Sequence, residues 1–111
     1  MLYKFKSKST GDVIMLQPNG RRLLEIIGKD ITSARPDQGI LLPAQMPAAI
    51  AALEAAMTQE EAQRQAIVAE ALAQNKPPPQ LEAITLRQRA LPFIDMLRRS
   101  AKAGHEVVWG V

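Results

Sequence analysis

Both ends of this chain read as β-strand, and most of what lies between reads as helix. Near the start, in "LYKFK", Tyr3 and Phe5 fall on one side and Lys4 and Lys6 on the other. That two-residue period belongs to a half-buried strand. At the far end, in "HEVVWGV", Val107 and Trp109 share one face and Val108 takes the other. A tail is ordered only when something ties it down, so Trp109 is expected to anchor a last strand in the core. A few short strands and several long helices imply an α+β fold: a small sheet of about four strands with helices packed mainly on one face. Residues 1–111 are expected to form a single domain in the order hairpin, helix, strand, long helix, helix, strand.

The local signals support that order. "SKSTGD" supplies turn residues after the first strand, and "VIML" (Val13 to Leu16) is a short, continuously apolar run. Such a run suits a strand covered on both faces, and residues 2–16 read as a hairpin. In "QPNGRRLLEIIGK", Leu23, Ile26 and Ile27 recur at helical spacing. Pro18 or Asn19 opens this helix, and Gly28 stands where a C-terminal glycine belongs. Gly20 weakens its first turn by up to about 1 kcal/mol relative to Ala. The polar stretch around Pro36 is a loop. "GILL" (Gly39 to Leu42) reads as a strand, and if it neighboured the hairpin's second strand the two would be parallel with a right-handed crossover.

The longest helical signal runs from Pro47 to about residue 74. Ile50, Leu53 and Met57 share one face. Thr58 and Glu61 form a capping-box pattern, so two helices meeting at Thr58 are an alternative. One long helix with a poorly packed far end is the favoured reading. Pro77, Pro78 and Pro79 then make a stiff connector. The strongest helix follows, with a capping-box pattern at Thr85 and Gln88. Its apolar stripe (Leu86, Ala90, Phe93, Ile94, Leu97, Ala101) runs through Pro92, which predicts a kink there and an end at Gly104.

Composition limits the chemistry. The 111 residues include no cysteine, which removes disulfides, thiolate metal sites and thiol nucleophiles. The start lacks an apolar run long enough for a signal peptide, and nothing resembles a membrane span. A cytoplasmic protein with no membrane association is expected. The net charge of +3 is a small excess, and aromatics make up 4% of residues, which disfavours nucleic acid as a partner.

No catalytic residue, metal site or cofactor loop is assigned. The lone His105 has only Glu106 nearby, and consecutive strand residues diverge, so a structural role beyond the helix end is expected. The carboxylates are scattered through polar helices. Asn19 and Gly20 at a helix start, with Arg21 and Arg22 beside them and Arg98 elsewhere, are candidates for binding an anion. A plain strand-to-helix turn with solvated arginines is the simpler reading. Ile50, Leu53 and Met57 are candidates for a partner interface, with a protein partner or a homodimer in view.

Together, "MLYKFKSKSTGDVIML", "PAQMPAAIAALEAA", "LRQRA" and "VVWGV" resemble the small proteobacterial family described as domain of unknown function 1840. The resemblance implies a bacterial cytoplasmic protein and brings no activity, cofactor or catalytic residue. Three functions are therefore carried forward. The first is a non-catalytic interaction or regulatory module. The second is a weak nucleic-acid or anion binder using the arginines, and the third is a small enzyme with an Arg-lined pocket. The third requires Arg21, Arg98 and His105 to converge.

Overall fold

The computed structural model describes residues 2–29, 38–77, 79 and 85–110. The four strands are β1 (Leu2–Ser7), β2 (Val13–Leu16), β3 (Gly39–Leu41) and β4 (Val107–Trp109). The helices are α1 (Gln17–Ile26), α2 (Met46–Ala73) and α3 (Leu86–Ala103), with a 3-10 turn at Pro43–Gln45 leading into α2. The fold is α+β, as the strand and helix periods imply.

The sheet order is β2-β1-β4-β3, and every neighbouring pair is antiparallel. The C-terminal strand therefore lies inside the sheet. Phe5 and Gly39 flank Trp109 in register, as Ser7 and Leu41 flank Val107. β3 pairs with β4 and not with β2, so the parallel crossover does not form. The loop around Pro36 falls on residues 30–37, outside the described residues.

Alternation decides what each strand buries. Tyr3, Phe5, Leu41, Val107 and Trp109 point into the core. Phe5 is its hub: its ring centroid lies 4.6 Å from Phe93, 5.7 Å from Trp109 and 6.1 Å from Tyr3. Leu23 and Leu24 of α1, Met46 and Leu53 of α2, and Phe93, Ile94 and Leu97 of α3 complete it. Burying a side chain of this size contributes roughly 1.5–3 kcal/mol.

Two glycines let rings lie flat against backbone. A Cβ on Gly20 would collide with the Tyr3 ring, and one on Gly39 with the Trp109 indole. Gly20 thus trades helix propensity for close approach of α1 to β1.

The helix ends follow their residues. Gly28 takes φ 85°, with its N–H on Glu25 O and the Lys29 N–H on Leu24 O, the paired bonds of a Schellman ending. Asn75 does the same for α2 at φ 54°, where Lys76 N–H reaches Ala71 O. Gly104 at φ 74° ends α3. Thr85 and Gln88 form the expected capping box.

α2 is one unbroken helix. Thr58 caps nothing: its hydroxyl donates back to Glu54 O. All the buried residues of α2 lie from Met46 to Met57. Beyond them Ile67 and Leu72 are exposed, the poorly packed far end that the sequence suggests. α3 likewise runs through Pro92, which sits on the exposed side. There the Gln88 carbonyl, deprived of its helical donor, can meet water.

Candidate functional site

The expected partner face of α2 is not available. Leu53 has no exposed surface and Met57 has 5%, while Ile50 is half-buried. They are covered by the protein's own core, in which α3 lies along α2. A partner could reach Leu53 and Met57 only by opening the fold, which corrects the expectation that these two form an interface, while Ile50 keeps part of its surface exposed.

The anion candidates are dispersed. Gly20 is buried under Tyr3, and Asn19 is half-buried. The N-cap position of α1 falls to Leu16, so Asn19 does not cap the helix. Gln17, Pro18, Arg21, Arg22 and Glu25 line an open depression of about 510 Å³. Arg21 Nε donates to Tyr3 Oη at 3.3 Å, and Arg22 lies 3.9 Å from Glu60. An anion here would face Glu25 and compete with Glu60. Arg98 does not line this depression; it pairs with Glu54 across α2 and α3 at 2.9 Å.

His105 is a structural tie. Its Nδ1 lies 2.6 Å from Ser9 Oγ, and its backbone N–H donates to Ser100 O at 2.9 Å. Ser7 Oγ meets the buried Ser100 Oγ at 2.7 Å and accepts the Ser9 N–H at 3.3 Å. This chain of polar contacts pins the β1–β2 turn to the C-terminus of α3. A serine beside an imidazole can act as a nucleophile only with substrate access and stabilisation of the developing oxyanion. Neither Ser9 nor His105 lines the depressions at α1, on the distal half of α2 or on the sheet. Of Arg21, Arg98 and His105, only Arg21 lines one of these three depressions. Among the described residues, no group of three His, Cys, Asp or Glu could hold a metal ion.

The feature that composition and spacing did not reveal is the outer face of the sheet. The described helices bury the face carrying Phe5 and Trp109. The opposite face carries Leu2, Lys4 and Lys6 of β1, Ile14 and Leu16 of β2, Val108 of β4 and Ile40 of β3. Ile14 is 54% exposed, Leu16 58% and Ile40 45%. This corrects the expectation that "VIML" is covered on both sides. β2 is an edge strand, with Val13 and Met15 leaning on the core and Ile14 and Leu16 facing out. Lys4 sits opposite Ile14, and Lys6 opposite Val108. Lys6, Ser7, Lys8, Glu106 and Val108 line a depression of about 260 Å³ at one end of this face.

Residues 1–109 match the family described as Domain of unknown function (DUF1840). The chain belongs to that family. Neither a curated protein nor a solved structure matches this DUF1840 member significantly. The sheet face, an apolar surface crossed by lysines, is thus the principal functional clue in this DUF1840 chain. No helix among its described residues is long and apolar enough to cross a membrane.

Proposed function

We propose that this protein is a non-catalytic interaction module that binds a protein partner through the outer face of its sheet. The observation that carries the reading is the one-sided layering. The described helices cover one face of a four-stranded sheet, and the other presents Leu2, Ile14, Leu16 and Ile40 to solvent. Single exposed apolar residues are ordinary, but several gathered on one face of a sheet are a feature of interaction sites, and here Leu2, Ile14 and Leu16 cluster on β1 and β2 with Ile40 across the face on β3. The setting proposed is the bacterial cytoplasm, which the cysteine-free composition suits.

The test compares partners retained from host extract by the full chain and by surface variants whose melting temperature is unchanged. Ile14→Asp and Ile40→Asp are expected to lose a partner that Leu72→Asp keeps. A partner equally retained by all three, or no specific partner, contradicts the reading.

A further inference from the structure

Among the described strands, β2 alone contains no buried residue, and it is short of cover on both faces. The core-facing residues of the other strands, Tyr3, Phe5, Leu41, Val107 and Trp109, are at most 3% exposed. In β2, Val13 and Met15 lean on the core but keep part of their surface, while Ile14 and Leu16 face out. A molecule laid on the outer face would cover Ile14 and Leu16 and leave the other two as they are. Only a neighbour alongside the strand reaches both pairs. This edge is also unguarded. Natural edges carry charge, proline or a bulge against further pairing, whereas β2 reads VIML. The opposite edge, β3, is three residues long and is followed by Leu42 and Pro43, which discourages pairing there.

We propose that β2 pairs antiparallel with β2 of a second copy about a two-fold axis at Met15, joining two four-stranded sheets into one. Opposed residues of an antiparallel pair share a face, so a continuous sheet with its helices on one side admits few registers. With Met15 on the axis, Met15 meets Met15 on the helix side, and Ile14 meets Leu16 on either side of it on the outer face. Centring on Ile14 instead sets Leu16 against the Asp12 carboxylate. Centring on Leu16 sets Ile14 against Pro18, inside α1. The Met15 register also places a charge well. Asp12 of each copy comes opposite Pro18 of the other, beside the first turn of α1. That turn holds no acidic residue, and its N-cap, Leu16, has no side-chain acceptor; a carboxylate is favourable there. The strand matches itself, which is what selects a second copy over an unrelated chain. The pairing extends the outer face and does not cover it, so it stands or falls separately from the partner proposed for that face.

The test uses the full chain, by sedimentation and by site-specific cross-linking. The chain should sediment as a dimer at high micromolar concentration. Ile14→Glu and Leu16→Lys each spoil both Ile14–Leu16 contacts of the dimer, and each should weaken association about tenfold. The double variant sets every glutamate opposite a lysine and should restore it. The chain has no native cysteine, so Met15→Cys reports the register directly. Opposed Cα atoms in an antiparallel pair lie about 4.5–5.5 Å apart, within disulfide reach. Oxidation should cross-link Met15→Cys into a covalent dimer and leave Leu16→Cys and Ile40→Cys, which the register does not set against themselves, as single chains. A monomer at high micromolar concentration would overturn the proposal. So would cross-linking at position 16 or 40 as fast as at 15, or a double variant that associates no more tightly than Ile14→Glu alone.

Discussion

Glu60 on α2 accepts the backbone N–H of Leu86, the first residue of α3, at 2.9 Å. Its other carboxylate oxygen lies 3.9 Å from Arg22 of α1. One side chain thus satisfies an orphan donor at a helix start and places negative charge at the positive end of the α3 dipole.

Glu60→Ala is expected to cost about 1–2 kcal/mol, because a charge-assisted hydrogen bond is lost at a junction of three helices. Thermal unfolding should show a fall of about 5–10 °C. Glu60→Gln keeps an acceptor and should lose less. Glu61→Ala removes only the exposed pair with Arg87 and should change stability by less than about 1 kcal/mol.

Gly20→Ala sets two effects against each other. Helix propensity favours Ala by up to about 1 kcal/mol. The new methyl, however, would occupy the space of the Tyr3 ring, and overpacking of this kind costs about 1–3 kcal/mol. The collision should win, so denaturant titration is expected to show a less stable protein. A more stable one would mean that α1 does not lie against β1 as described.

Gly39→Ala has no helical compensation. It would drive a methyl into the Trp109 indole, whose Nε1 is buried without a hydrogen-bond partner. A loss of about 2 kcal/mol or more is expected, with a changed tryptophan emission maximum as the indole shifts.

The Ser9–His105 contact should behave as structure and not as chemistry. Ser9→Ala and His105→Ala are each expected to cost about 1 kcal/mol. A double-mutant cycle should return a coupling of roughly 0.5–1.5 kcal/mol, as expected for residues in direct contact. Additive losses would show that the two side chains do not meet.

Much of the scaffold was legible in the sequence because local periods are local physics. Tyr3 and Phe5, Val107 and Trp109, and the α3 stripe all bury the faces their spacing assigns. The site was not legible, for tertiary reasons. The Ile50, Leu53 and Met57 stripe identifies an apolar face, but spacing cannot say whether a partner or α3 covers it. "VIML" is too short for periodicity to show which residues face outward. Only the sheet order, with β2 at an edge, exposes Ile14 and Leu16. Glu60 is a polar residue just past the buried part of α2, and its role depends on where α3 begins. Ser9 and Ser100 gave no signal because their partners lie far away in sequence, at His105 and Ser7.

The central claim is that the sheet is covered on one face and open on the other. The absence of native cysteine allows a direct measurement, the rate of thiol labelling in single-cysteine variants of the folded protein. Ile14→Cys and Ile40→Cys should react at nearly the rate of a free thiol. Leu41→Cys, one residue along β3 from Ile40, should react many-fold more slowly and only as the protein opens. Slow labelling at positions 14 and 40, or fast labelling at 41 in a folded variant, would contradict the account.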